Sequence, residues 1–176
     1  MKYQNIKQID LHKYLPDGEY LQDHDTISRK KRANQEYTAK ETSISESYMD
    51  NKSTEFITIM IDVHDSPVSP RNFTGYIKTS FERHYMSGTP NNRRIGDLVF
   101  QTKREGGLLK STLELLTIEG RCTASISFCK TPSRSSQKNF LNTVLMTKQD
   151  VIRMENLLDS IISKMRRDGV TGGHVI

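Results

Sequence analysis

This chain of 176 residues is short of apolar and aromatic side chains: 34% hydrophobic, 7% aromatic, mean hydropathy −0.64. No apolar run approaches the roughly 18–20 residues that span a bilayer, so any membrane contact is expected to be peripheral. A basic start followed by an apolar stretch, the mark of a secretory signal, is missing. Lys2 stands where a myristoylated glycine would, and the last four residues make no prenylation box. Cysteine is limited to Cys122 and Cys129, seven apart in one expected strand. Their side chains then point to opposite faces, so they neither bridge nor share a metal. Two unpaired, buried or half-buried thiols suit a reducing compartment.

The residue patterns of common catalysts are lacking as well. No Gly-x-Ser-x-Gly, His-Glu-x-x-His, Walker loop or Cys-x-x-Cys occurs. Histidines are scattered at 12, 24, 64, 84 and 174. His64 and Asp65 are neighbours in sequence, which does not aim one side chain at the other, and His84 falls on an aromatic stripe where a packed role is expected. Gly106-Gly107 and Gly172-Gly173 do not stand between a strand and a helix start, so neither reads as a phosphate cradle. The sequence therefore predicts no enzyme, no cofactor and no metal site.

What is present divides into two parts. Residues 1–53 are rich in Ser, Thr, Asn, Gln, Asp and Lys, with few apolar residues and no sustained period. Ordering costs roughly 1–2 kcal/mol per residue for the backbone, and such a segment buries too little to offset it. It is expected to be a disordered polar arm, with residues 38–54 as linker. It carries nine Lys and Arg against nine Asp and Glu, so residues 54–176 hold the whole formal charge of +5. A basic body favours polyanionic partners, nucleic acid or an anionic membrane surface.

Residues 54–176 read as one small α+β domain: a twisted, mostly antiparallel sheet packed with two main helices. Phe56–Val63 alternates, with Ile57, Ile59, Ile61 and Val63 on one face. After a loop with two prolines, Ser69 and Pro70 suit a helix start, and Phe73, Tyr76, Ile77, Phe81, His84 and Tyr85 form its stripe up to Gly88. Ile95–Lys103 is an expected strand, and Leu108–Ile118 and Arg121–Cys129 an expected hairpin about Glu119-Gly120. Thr131–Lys138 reads as a loop and Phe140–Met146 as a last strand. Thr147 with Asp150 opens a second helix. Its stripe is Val151, Met154, Leu157, Leu158, Ile161, Ile162 and Met165, and Gly169 ends it.

Basic clusters are the candidate contacts for a polyanion: Arg29, Lys30, Lys31 and Arg32 in the arm; Arg93 and Arg94; Lys103 and Arg104; and Lys164, Arg166 and Arg167 at the end of the last helix. The ordinary reading of each is a solvated surface charge; gathered on one side they would make a patch. Aromatics interleaved with bases, as in an RNA-reading sheet, are not seen.

The order of elements resembles that of rhabdovirus matrix proteins, plant-infecting cytorhabdoviruses in particular. The strand "FITIMIDV", the proline-containing loop, "RNFTGYIKTSFERHYMSG" and "GDLVF" look like the first strand, first helix and second strand of that fold. "KSTLELLTIEG" looks like a later strand, and "MTKQDVIRMENLLDSIISKMRRDGV" is similar to the last helix of the more distant bornavirus matrix protein. The resemblance implies a non-enzymatic structural protein that binds its own copies, condenses the viral nucleocapsid and its RNA, and links it to the envelope membrane and a viral glycoprotein. It places the protein in the virion beneath the envelope and at host cytoplasmic membranes, with Arg29–Arg32 as a possible nuclear-import run. In that family part of the arm docks on a neighbouring copy; Leu11, Tyr14, Leu15, Tyr20 and Leu21 match by character. The Pro-Pro-x-Tyr and Pro-Thr/Ser-Ala-Pro budding motifs and the dense lysine start of animal relatives are absent. The alternative function is a small module of a virus or phage that binds RNA or single-stranded DNA.

Overall fold

A computed structural model describes residues 3–16, 27–29, 34–50, 54–69, 89–90, 95–96, 98–106, 110–132 and 146–172; for 27–29, 89–90, 98–106 and 110 it describes the backbone alone. The strands are β1 (Ile27–Arg29), β2 (Glu36–Tyr37), β3 (Glu41–Asp50), β4 (Glu55–His64), β5 (Thr89–Pro90), β6 (Leu98–Gly106), β7 (Lys110–Glu119) and β8 (Cys122–Lys130). Five long strands form an antiparallel sheet in the order β3-β4-β8-β7-β6. The short β1 and β2 pair with β3, and β5 with β6. One α-helix is described, α1 (Lys148–Arg167). The fold is α+β.

Period-two alternation sets the sheet's two faces. Ile57, Ile59, Ile61 and Val63 of β4 are fully buried, as are Cys122, Ala124, Ile126 and Phe128 of β8 and Leu113 and Leu115 of β7. The register sets Ile57 opposite Phe128, Ile59 opposite Ile126 and Ile61 opposite Ala124, so these side chains share one face. The outer face carries Ser45, Ser47, Thr58, Met60, Ser125 and Ser127, with Ser45 and Ser125 flanking the exposed Met60.

Against the apolar face lies α1. Thr147 caps it: the Thr147 hydroxyl accepts from the Asp150 amide at 3.1 Å, and the Asp150 carboxylate accepts from the Thr147 amide at 2.8 Å. Met154, Leu157, Leu158, Ile161, Ile162 and Met165 are buried and Val151 is partly so. Each contributes roughly 1.5–3 kcal/mol against exposure. The helix runs the length of the sheet. Lys130 holds Asp150 at 2.9 Å near its start, with Arg153 on Glu55 at 3.1 Å one turn further on. At its end Gly169, with φ +71°, turns the chain so that Val170 packs into the core.

Two expectations are corrected. Residues 41–50 are not linker but the ten-residue strand β3, paired along nearly its whole length with β4. The strand at residues 55–64 is therefore interior, lying between β3 and β8, rather than the opening strand of the sheet. The inward positions of β3 are Thr42, Ile44, Glu46, Tyr48 and Asp50, all buried. Two of their hydroxyls are satisfied outside the strand: that of Thr42 donates to the Glu36 carbonyl at 3.1 Å, and that of Tyr48 to the Pro16 carbonyl at 2.9 Å. Asp50 closes the β3–β4 turn by accepting from the amides of Thr54 (2.6 Å) and Glu55 (2.9 Å).

Nor is the start of the chain a loose arm. Residues 6–8 and 11–14 form two 3-10 turns, capped by the side chains of Asn5 and Asp10. Ile6, Ile9, Leu11, Tyr14 and Leu15 are buried in the same core as the sheet and α1. Gln35 clamps the segment in place: its carboxamide oxygen accepts from the Leu11 amide at 2.8 Å, and its nitrogen donates to the Ile9 carbonyl at 2.6 Å. Residues 3–16 and 34–50 thus share one nucleus with the body, and the expected boundary at 53/54 does not separate an arm from a core. The smaller hairpin expectation shifts by one residue. The two-residue turn between β7 and β8 is Gly120-Arg121, with Gly120 at φ +57°. The expected first helix (residues 70–88) and the last strand before Met146 lie outside the described residues.

Candidate functional site

The last turn of α1 meets the N-terminal segment, and basic side chains from both collect there. Lys164, Arg166 and Arg167 are exposed at the helix end and Lys13 is exposed on the second 3-10 turn. They are held differently. The Lys164 ammonium donates to the Lys13 carbonyl. Lys13 pairs with Asp168 at 2.7 Å, and the Tyr14 hydroxyl donates to the same carboxylate at 2.9 Å. These hydrogen bonds, that of Lys13 foremost, hold the Asp168 carboxyl below its ordinary value and raise the Lys13 ammonium above its own. Arg166 forks onto both oxygens of Glu119, a buried carboxylate at the end of β7. Arg167 is exposed past that pair.

Four bases thus face two carboxylates, so the surface keeps a cationic excess. The negative end of the helix dipole, equivalent to roughly half a charge, offsets part of it. Lys13, Lys164 and Arg167 are all exposed. Arg166, a sequence candidate for polyanion contact, is exposed and also paired with Glu119, a buried carboxylate that requires a cation there.

Other candidates do not gather here. Arg29 ends β1 opposite Tyr48, and Lys103 and Arg104 occupy consecutive positions on β6 opposite Leu113 and Thr112. Lys30, Lys31, Arg32, Arg93, Arg94, Tyr20 and Leu21 lie outside the described residues. The self-docking candidates Leu11, Tyr14 and Leu15 are a correction. They are 0, 3 and 5% exposed and pack on the chain's own core, so they present no surface to a neighbour.

Beneath this surface Arg121 is buried to 1% exposure with no carboxylate partner among the described residues. Its Nε donates to the Val170 carbonyl at 2.8 Å, another nitrogen to the Gln4 carbonyl at 2.8 Å, and its guanidinium lies over the Tyr3 ring at 5.0 Å. One arginine thereby fastens the β7–β8 turn, the segment after α1 and the start of the chain together. Burial lowers its affinity for the proton, the carbonyl dipoles and the ring standing in for a counter-ion.

On the outer face, at the same end of the sheet, an open groove of about 700 Å³ is lined by Lys40, Glu41, Met60, Asp62, His64 and the loop after β4. The His64 Nδ1 is 3.3 Å from the Glu41 carboxylate. His64 therefore pairs across the β3–β4 register with Glu41 and not with its sequence neighbour Asp65. The Thr123 hydroxyl donates to Asp62 at 2.9 Å. Burial raises the Asp62 carboxyl despite that bond. A His–carboxylate pair can take a proton from a hydroxyl in reach. The Thr123 proton, however, is directed at Asp62, so no nucleophile–base pair forms between Thr123 and His64.

Among the described residues no three His, Cys, Asp or Glu side chains group as metal ligands. None of the described helices is long and apolar enough to cross a membrane. Cys122, turned into the core, has its thiol pushed up to about 12 by burial, while Cys129 faces the other side of β8. Searches against protein-family models, curated proteins and solved structures find no match for this chain.

The sequence named Lys164, Arg166 and Arg167. It missed Lys13, which joins them only because the N-terminal segment folds back on α1. The buried, irregular apolar set at residues 6–15 was the one signal available.

Proposed function

We propose that this chain is a non-enzymatic viral matrix protein. It self-associates, condenses a ribonucleoprotein nucleocapsid and attaches it to the anionic inner surface of an envelope. The observation that carries the reading is the exposed cationic surface of Lys13, Lys164 and Arg167, on a chain with a formal charge of +5. A base near an anionic bilayer contributes roughly 1 kcal/mol, so a few bases hold a protein there weakly and reversibly, as assembly and release demand. The second main helix over residues 70–88, the remaining basic runs, a glycoprotein contact and a virion and host-membrane location belong to the same proposal. With Leu11, Tyr14 and Leu15 consumed by the core, self-association has to use another surface.

The test is sedimentation of the full chain with anionic vesicles, with neutral vesicles and with RNA, at low and high salt. The proposal expects pelleting with anionic vesicles and not neutral ones, release by salt, and assembly that grows with protein concentration. Tight RNA binding by a defined dimer with no vesicle effect would favour the nucleic-acid module instead. Pelleting with neither partner would end both readings.

A further inference from the structure

We propose that Ser66 is a phosphoacceptor for a proline-directed protein kinase. The loop leaving β4 reads Asp65-Ser66-Pro67-Val68-Ser69, and four of these five residues are exposed. Two backbone bonds pin it: the Asp65 amide donates to the Lys40 carbonyl at 2.8 Å and the Val68 amide to the Gly120 carbonyl at 2.9 Å. Ser66 and Pro67 form the span between the pins. The chain bends at Asp65 and Ser66, and the proline that follows disfavours helical backbone at Ser66, so the acceptor stands on an open, irregular turn. Pro67, itself exposed, is available for the adjoining proline-reading contact. The Ser66 hydroxyl has one described partner, the Asp65 carboxylate at 3.0 Å, a bond between neighbours on the surface that the hydroxyl can leave without unfolding anything.

The transfer uses a nucleoside triphosphate with magnesium. The Ser66 Oγ bonds to the γ-phosphorus, the bond from that phosphorus to the β–γ bridging oxygen breaks, the hydroxyl proton passes to the kinase's catalytic carboxylate, and the nucleoside diphosphate leaves. The product is chemically different for this loop. The phosphate ester has no hydrogen to donate to Asp65 and brings a charge of about −1.5 to −2. It arrives in a groove that already holds Glu41, Asp62 and Asp65 against Lys40 and His64. Repulsion pushes the loop outward and works against both pins, so phosphorylation converts a fastened loop into a loosened one at the edge of the groove.

The experiment incubates the full chain with a purified proline-directed kinase, magnesium and ATP, with kinase activity verified on a standard substrate. Phosphate is mapped by peptide mass. The expected result is phosphate mapped to Ser66 itself, its loss in Ser66→Ala with any phosphate on Ser69, which Pro70 follows, scored separately by peptide fragmentation, and incorporation at Ser66 reduced about tenfold or more in Pro67→Ala, which keeps the acceptor. Because Ser66 is exposed and outside the core, its replacement leaves the fold intact. Amide exchange at Asp65 and Val68 should quicken in the phosphorylated chain. A folded chain that takes no phosphate at Ser66 overturns the assignment. Phosphate at Ser66 with unchanged exchange at both amides overturns the loosening.

Discussion

The two faces of this sheet are built for different tasks. The inner face is apolar and covered by α1 and the N-terminal segment, and its rim at the helix end is cationic through Lys13, Lys164 and Arg167. The outer face is a field of serine and threonine hydroxyls around Met60, and its groove at the same end is richer in acid, with Glu41, Asp62 and Asp65. Among the described residues, a single end of the molecule thus presents opposite signs to opposite sides. On the proposed function, an anionic surface bound at the helix side would orient the protein as well as hold it.

The largest effects are expected on the inner face. Leu11→Ala and Leu158→Ala each delete a fully buried side chain, and each should cost about 2–5 kcal/mol in urea unfolding. Equal losses would place the start of the chain on a par with α1. A silent Leu11→Ala would restore the picture of a dispensable arm. Gly120, where the faces meet, comes next. Its φ is +57°, and a β-carbon there would run into the Thr171 carbonyl. Gly120→Ala should cost about 2–3 kcal/mol. It should also loosen the Val68–Gly120 and Arg121–Thr171 backbone bonds, visible as faster amide exchange at Val68 and Arg121.

A smaller effect is expected at the start of α1. Burial alone would raise the Asp150 carboxyl, but the hydrogen bonds from Lys130 and Thr147 outweigh it and hold the group below its ordinary value. A depressed carboxyl stabilises the fold fully above the unfolded value, near 3.9. That contribution fades as pH falls through the folded value. Asp150→Asn should therefore cost about 1 kcal/mol at pH 7, and the gap to the parent should close in acid, read from melting curves across pH. The outer face supplies the smallest effect and the opposite sign. Burial raises Asp62, so its ionisation opposes folding increasingly as pH climbs from the ordinary aspartate value through the raised one. Asp62→Asn should gain about 0.5 kcal/mol at pH 7 and nothing in strong acid. A loss at neutral pH would show that the Thr123 bond to the charged form outweighs burial.

The sequence displayed the inner face wherever apolar residues themselves keep the period. The stripe from Met154 to Met165, the Thr147–Asp150 cap and the alternation of Ile57 through Val63 stand in the structure at those residues. The face became illegible where it is polar. On β3 the inward set is Thr42, Ile44, Glu46, Tyr48 and Asp50, so period-two reasoning finds two apolar residues in five and reads linker. What makes that strand possible is distant: Gln35 on Thr42 at 2.9 Å, Pro16 under Tyr48, Thr54 on Asp50. The N-terminal segment hid for another reason, since its buried residues keep 3-10 turns and bends rather than a helical period. The pairings of Arg166 with Glu119 and His64 with Glu41 join elements far apart in sequence, and no local spacing announces them. The basic helix end was legible as charge but not as a surface, because Lys13 reaches it only through the fold.

Orientation by charge can be measured directly. Two variants are compared with the parent for binding to anionic vesicles at low salt, after melting curves confirm that both fold: Lys164→Glu with Arg167→Glu on the helix side, and Glu41→Gln with Asp65→Asn on the groove side. The account predicts that the helix-side reversal weakens binding by about tenfold or more, while the groove-side neutralisation leaves it unchanged or slightly tighter. Full binding by the helix-side variant would contradict it.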